Sequence, residues 1–265
     1  MKLAGTMFVV FLVAATIGQG VAAAQEDRPA LRLASGAGYL TRDQMPDSAA
    51  LLPPPPEAGS RAQRRDDRRA RAAVAIQGTP RWRLAAVDAD LFSPDSTGVF
   101  SCAAGFRIGE QATPAINRLL RRAMIDFAGA TFAAKRKYTR ARPFMVNGRP
   151  TCTPADEALL RRDGSYPSGH SAIGFGTGLI LAEIVPAQSS ALIARGKAFG
   201  DSRRVCNAHW LSDVEAGRTI AVAVVERLGV VPAFQADLAA AKAEAVAARG
   251  ASQPDCAEER AALRR

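Results

Sequence analysis

The chain contains only two histidines, His170 and His209, and each lies among residue types suited to an anion that is transferred during a reaction. His170 closes the stretch Gly164-Ser165-Tyr166-Pro167-Ser168-Gly169-His170, which runs into apolar residues from Ile173 to Val185. Ser168 therefore reads as a helix N-cap, with unpaired amides and the positive end of the helix dipole beside it, and Gly169 lets a ligand approach the backbone. Taken alone, the stretch also fits an ordinary capped helix with a surface histidine. Two further clusters sharpen it. Ser202-Arg203 is followed after five residues by His209 and after three more by Asp213, and Lys135 is followed after six residues by Arg142-Pro143.

The residue types divide the work of handling a phosphoryl group. Lys135 offers a point charge, Arg142 and Arg203 offer planar forks matched to phosphate oxygens, and Ser168 with the Gly169 amide adds neutral donors. Asp213 lies about one helical turn after His209, so its carboxylate can fix the imidazole tautomer and leave the other nitrogen to attack phosphorus. His170 is then the candidate to protonate the departing oxygen. Both histidines fall inside phosphate-suited clusters, which argues against either being incidental.

The elements that must position these groups read as helices. Residues 1–24 carry Lys2, an apolar core from Met7 to Ile17 and Ala22-Ala23-Ala24, the pattern of a cleavable export signal with cleavage after Ala24. Its removal takes away only Lys2, so the formal charge falls from +10 to +9. Residues 25–56 hold Gly36, Gly38 and the run Pro53 to Pro56, and are expected as an extended arm over the domain. Residues 57–249 are expected as one helical domain and residues 250–265 as a polar tail. Within the domain, helices are expected from Glu57 to about Gln77, Arg81 to about Leu91, Thr113-Pro114 to about Lys135, Ser168 onward, Ser190 to Arg204, and from Pro232. Another is expected behind a capping box at Ser212-Asp213-Val214-Glu215. Strand-like alternation is nearly absent, so the fold class is all-α.

The basic balance would attract nucleic acid or an anionic surface. In the segment 61–71, however, Asp66 and Asp67 interrupt the arginines, so that run reads as a solvated helix face. No later apolar run is long enough to span a membrane. Cys102, Cys152, Cys206 and Cys256 suggest two disulfides in an exported chain, with three pairings open. Joining Cys102 to Cys152 would close a loop of about 50 residues and stabilise by roughly 4 kcal/mol in the chain-entropy model. Ligand spacing for zinc is missing.

In this order the three clusters resemble the signature of the type-2 phosphatidic acid phosphatase superfamily, which includes bacterial acid phosphatases, lipid phosphatases and vanadium haloperoxidases. Leu51-Leu52-Pro53-Pro54-Pro55-Pro56, Phe100-Ser101-Cys102, Arg142-Pro143-Phe144, Cys152-Thr153-Pro154, Gly164 to His170 and His209-Trp210 are most similar to the class A secreted non-specific acid phosphatases. The similarity runs from about Tyr39 to Glu244. It implies a single-domain helical bundle, His209 as nucleophile, Asp213 orienting it, and His170 as general acid. It also implies Lys135, Arg142, Ser168, Gly169 and Arg203 as phosphate ligands, with no metal or other cofactor. Ala141 stands where the class often has Pro and Leu211 where it often has Gln, positions that bear on the substrate pocket and not on the reaction.

The expected activity is hydrolysis of phosphomonoesters of broad structure, nucleotides included, in the periplasm or medium, with transfer to alcohols as a side reaction. The class is commonly homo-oligomeric, and neither a nucleic-acid partner nor a membrane span in the mature protein is expected. A vanadate-dependent haloperoxidase would use the same pocket, but the short chain and the class A resemblance argue against it. A non-catalytic anion or nucleic-acid binder would explain the charge yet has no use for two histidines with an orienting aspartate. Because every expected phosphate ligand is a protein donor, activity should survive EDTA, and vanadate should inhibit by filling the phosphate site. Loss of turnover on chelation, restored by a divalent ion, would contradict this.

Overall fold

Apolar residues recurring every three or four positions give the chain a set of helices that bury one stripe each. A computed structural model describes Met1, residues 37–250 and residues 254–264; the expected export signal and the start of the arm lie outside the described residues. Its helices are α1 (Ser48–Leu51), α2 (Arg61–Val74), α3 (Pro80–Val87), α4 (Ser101–Ala104), α5 (Pro114–Ala130), α6 (Phe132–Tyr138), α7 (Pro143–Asn147), α8 (Glu157–Leu160), α9 (Gly169–Ile184), α10 (Ser189–Val205), α11 (Leu211–Leu228), α12 (Pro232–Ala248) and α13 (Ala257–Leu263). Among the described residues there is no strand, and no single helix is long and apolar enough to cross a membrane.

Helix α9 is the centre. It packs against α10, α11 and α5, while α12 covers another side of α5. Ile173, Ile180, Leu181 and Ile184 of α9 join Ile116, Leu119, Leu120 and Phe127 of α5 and Ile220 and Val224 of α11 in one apolar cluster. Close approach of α9 and α10 depends on Gly178 and Gly196: a Cβ on Gly178 would lie 2.8 Å from the Leu192 carbonyl, and one on Gly196 2.7 Å from the Gly174 carbonyl. Gly217 does the same for α11, since a Cβ there would collide with the Ser168 carbonyl. Gly178 and Gly196 bring α10 against the body of α9, and Gly217 brings α11 against the residue that caps it.

Several boundaries differ from expectation, each for a local reason. The helix expected through Lys135 is interrupted at Thr131, whose hydroxyl donates to the Ala128 carbonyl at 2.7 Å and competes with the helical ladder. Lys135 is thereby carried on the separate short helix α6. Thr113 occupies the N-cap position of α5, but its hydroxyl accepts from the Gly109 amide instead. The free amides of Ala115 and Ile116 donate at 3.0 and 2.8 Å to the Glu244 carboxylate of α12. The capping box expected at Ser212 is displaced: α11 begins at Leu211, Trp210 is its N-cap, and the Asp213 carboxylate accepts the Trp210 amide at 2.9 Å.

The disulfides are Cys102–Cys256 and Cys152–Cys206, so the Cys102–Cys152 loop does not form. The first ties the segment before α13 to α4. That segment was expected as a polar tail, yet α13 docks, with Glu259 accepting from Arg195 Nε at 2.8 Å. The described part of the arm does lie over the helices: the Tyr39 and Leu40 amides donate to Asp126 at 2.8 and 3.0 Å, and the Tyr166 hydroxyl donates to the Pro53 carbonyl at 2.9 Å. Because Glu244 supplies both caps of α5, Glu244→Ala should cost about 1–2 kcal/mol in urea unfolding. An unchanged midpoint would show that water caps those amides equally well.

Candidate active site

The local folding of three short segments brings the chemistry together. At the end of α10, Asn207 adopts a left-handed conformation with φ +59°, which Asn tolerates better than most residues. The chain turns so that the Ala208 and His209 amides both return to the Arg203 carbonyl, at 3.0 and 3.1 Å. The Cys152–Cys206 disulfide fastens this turn to the loop after α7. His209 is thus held between the end of α10 and the start of α11, with Arg203 behind it.

Arg142 precedes α7 and is 1% exposed. Its Nε donates to the carbonyls of Leu160 and Asp163 at 2.9 and 3.2 Å, and its Nη1 to the Ala208 carbonyl at 3.1 Å. The same Nη1 lies 2.8 Å from His209 Nε2. A guanidinium only donates, so Nε2 must carry a lone pair and Nδ1 the proton. Nδ1 lies 3.4 Å from Asp213 Oδ2 and 3.4 Å from the Ser165 hydroxyl. Asp213 thus lies beside His209 Nδ1, at a separation longer than an ordinary hydrogen bond, and His209 itself lies before the helix and not on it.

His170 has the opposite tautomer. Its Nε2 lies 3.0 Å from the Ala89 carbonyl, which only accepts, so Nε2 carries a proton and Nδ1 is the nitrogen left for other work. Beside it, the Ser168 hydroxyl oxygen accepts from the Ser171 amide at 3.2 Å and the Ser171 hydroxyl at 2.9 Å, which leaves its own proton to donate. The Ser168 amide donates to the Asp213 carbonyl at 2.9 Å, so the α9 cap and the Asp213 segment are directly joined. A Cβ on Gly169 would meet only Thr131 Oγ1 at 3.7 Å, an ordinary contact, so protein packing does not require glycine there.

Lys135, Arg142 and Arg203 are all buried, and they are poorly balanced by acids. Lys135 Nζ pairs with Asp163 Oδ2 at 2.9 Å and donates to the Gly164 carbonyl, and Arg142 Nη2 reaches the same Asp163 oxygen at only 3.4 Å. Arg203 has no carboxylate within reach among the described residues: its closest recorded partner is Cys206 Sγ at 4.0 Å, and its buried Nε has none. Burial and the neighbouring arginine push Lys135 down to about 8 and Arg203 down to about 10. Desolvation and these cations likewise hold both histidines well below 6.5, with Arg203 the main charge on His170 and Arg142 the main charge on His209. The cluster therefore carries buried positive charge in excess of its acids. Among the described residues no group of three His, Cys, Asp or Glu side chains is arranged to hold a metal ion.

Comparison with known proteins agrees with this chemistry. Residues 120–230 match the model of the PAP2 superfamily. The chain is 43% identical over 172 residues to the non-specific acid phosphatase of Salmonella typhimurium, covering 64% of this chain and 68% of the relative. It is 40% identical over 208 residues to that of Providencia stuartii, covering 78% and 84%, and 38% identical over 191 residues to an acid phosphatase of Zymomonas mobilis, covering 72% of each. The chain belongs to the PAP2 superfamily, among its acid phosphatases.

In this acid phosphatase, direct side-chain contact joins Arg142, His209 and Asp213 among the eight residues singled out from sequence, and Asp163 links Lys135 to Arg142. The side chains of His170, Lys135, Arg203 and Ser168 touch none of the other seven; the charges of Arg203, His209 and Arg142 act on His170, and that of Arg142 acts on Lys135 and Arg203. Sequence reasoning assigned nothing to Ser165, whose hydroxyl donates to Asp213 Oδ2, nor to Asp163, which bridges Lys135 and Arg142. Both adjoin the conspicuous stretch, and no spacing rule marks them. Asp66 was read as part of a solvated face; it is 2% exposed and accepts the Ser212 amide at 2.9 Å, while the arginines around it are exposed as expected.

Arg203 gives the pocket a sign that can be measured. A buried guanidinium without a counter-ion destabilises the free protein and should be relieved by an anion. Arg203→Met is therefore expected to raise the Tm of the free protein and to erase the Tm gain that millimolar inorganic phosphate gives the parent. A variant that melts lower and still responds to phosphate would show Arg203 to be a packing residue.

Proposed function

We propose that the protein hydrolyses phosphomonoesters of broad structure, nucleotides among them, by two displacements through a phosphohistidine on His209 Nε2. The observation that carries this reading is the pair of opposite tautomers: His209 presents Nε2 and His170 presents Nδ1 beside one cationic pocket. An incoming phosphate draws the Arg142 fork onto its oxygens, which frees the Nε2 lone pair that Arg142 engages in the free enzyme. Lys135 and Arg203 take the remaining charge, and Ser168 with the exposed Gly169 amide donates to further oxygens.

The electron pair of His209 Nε2 forms the new bond to phosphorus as the ester P–O bond breaks. His170, protonated at Nδ1, gives its proton to the departing oxygen. In the second step water attacks phosphorus, His170 Nδ1 accepts a proton from that water, and the P–N bond breaks to return phosphate and free His209. An alcohol in place of water yields a new ester. Asp213 accepts from Nδ1–H throughout and offsets the charge that the ring gains.

The electrostatics favour acid conditions. Burial, and after it the neighbouring cations, hold His170 below its ordinary range, so it carries its proton only in acid, while His209, held down in the same way, keeps its lone pair there. A phosphate between the two rings reverses the local field and favours the protonated His170 needed for the first step. Two disulfides and relatives that are bacterial acid phosphatases support a periplasmic or secreted site of action, where such bonds persist.

The two histidines separate in kinetics. His209→Ala should abolish turnover of every ester, whereas His170→Ala should lose about 100- to 10,000-fold on an alkyl phosphate and far less on p-nitrophenyl phosphate, whose phenolate leaves unaided. Acid quench should trap phosphoenzyme in the His170 variant and never in the His209 variant. Equal losses on both esters would reverse or remove the assigned roles.

A further inference from the structure

The Asp213 carboxylate faces more than a histidine. Its Oδ2 receives the Ser165 hydroxyl, the Trp210 amide at 2.9 Å and the nearby His209 Nδ1, and its Oδ1 receives Arg140 Nη1 at 2.6 Å. A carboxylate has about four acceptor sites, so these donors fill it. Both Nη groups of Arg140 are engaged: Nη1 also donates to the Ser212 hydroxyl at 2.8 Å, and Nη2 donates to Asp66 Oδ2 at 2.9 Å and Gln63 Oε1 at 2.7 Å. Asp66 in turn accepts the Ser212 amide and hydroxyl at the first turn of α11.

The backbone of Arg140 completes the arrangement. Thr139 has φ +40°, a left-handed residue that ends α6, and the Arg140 carbonyl after it accepts the Ser165 amide at 2.8 Å. Arg140 therefore touches Asp213 twice, directly through its guanidinium and indirectly through Ser165. The guanidinium carbon also lies 5.3 Å from the Trp210 ring centroid, within range of a cation–π contact.

We propose that Arg140 and Asp66 are positioning residues for the reaction, forming with Asp213 and His209 a chain Asp66–Arg140–Asp213–His209 that holds the Nδ1–H tautomer and ring orientation of His209. This deepens the phosphohistidine reading and rests on His209 being the nucleophile. The geometry supplies the reason: Asp213 can turn about its side-chain bonds, and a charged fork anchored on a second helix removes that freedom. Helix α2, whose outer face is solvated arginine, contributes Gln63 and Asp66 from its inner face to the back of the nucleophile.

The test combines kinetics with a readout of the ring. Arg140→Gln is expected to lower kcat on the order of 10- to 100-fold, with KM for p-nitrophenyl phosphate changed less than about threefold, as for other outer partners of a working histidine. Arg140→Lys, which keeps one charged donor, should recover part of that loss, and Asp66→Asn should lose less than Arg140→Gln. Adding Arg140→Gln to Asp213→Asn should cost little more than Asp213→Asn alone, because both act on one ring. In 15N NMR of the free enzyme, His209 should be protonated at Nδ1 in the parent and lose that preference in Arg140→Gln. Arg65→Ala, on the exposed side of α2, should leave kcat and tautomer unchanged. Full additivity, or a tautomer that does not respond, would overturn the proposal. Trapped phosphate on His209→Ala would instead overturn the nucleophile reading and leave the tautomer result to stand by itself.

Discussion

Buried positive charge without matching negative charge is the constraint on which the rest of this structure depends. Lys135, Arg142 and Arg203 converge from α6, the start of α7 and α10, and among the described residues Asp163 is the only carboxylate that pairs with any of the three. Placing such groups out of water costs several kcal/mol each unless something compensates. Backbone carbonyls do part of it: Arg142 shares its Nε–H between Leu160 and Asp163 and gives one Nη1 hydrogen to Ala208, and Lys135 gives one to Gly164. Arg203 is left nearly bare, and on the proposed reading a bound phosphate completes the balance of charge.

The scaffold is arranged to tolerate that imbalance. Glycines at 178, 196 and 217 let α10 and α11 close on α9, so that the arginine-bearing end of α10 and the α9 cap are fixed by backbone packing and not by attraction between charged groups. The Cys152–Cys206 disulfide holds the His209 turn against the loop after α7, where repulsion between Arg142 and Arg203 would otherwise open it. Core burial thus holds in place a site that would not assemble on its own electrostatics.

What was legible in the sequence and what was not follows from distance along the chain. Ser168 as the α9 cap, and the pairing of His209 with Asp213, depend on neighbours within a few residues, and spacing alone carries them. Thr113 does stand at the α5 N-cap with Pro114 after it, but its hydroxyl makes no cap bond; the amides of Ala115 and Ile116 go to Glu244, which lies 129 residues from Ala115. The break at Thr131 turns on where one hydroxyl points, and the start of α11 moved because Asp213 spends an oxygen on the Trp210 amide. Asp66 was hidden by its company: an acid in a run of arginines looks solvated until Arg140 and Ser212 arrive from more than 70 residues away. The disulfide pairing was open for the same reason, since spacing carries no information on which loops meet.

The two histidines show how a fold with no more than ordinary hydrogen bonds can give identical side chains different work. His209 is forced by a donor, Arg142, to offer Nε2, and His170 is forced by an acceptor, the Ala89 carbonyl, to offer Nδ1. Neither partner can exchange its role, so neither tautomer can drift while the pocket is intact. Arg142 has a further consequence. In the free enzyme it shields the His209 lone pair, and it can leave only for a group that accepts its protons more strongly than an imidazole does. A phosphate oxygen meets that condition and water meets it poorly, so the same contact that fixes the tautomer would also keep the proposed nucleophile covered until an anion is bound.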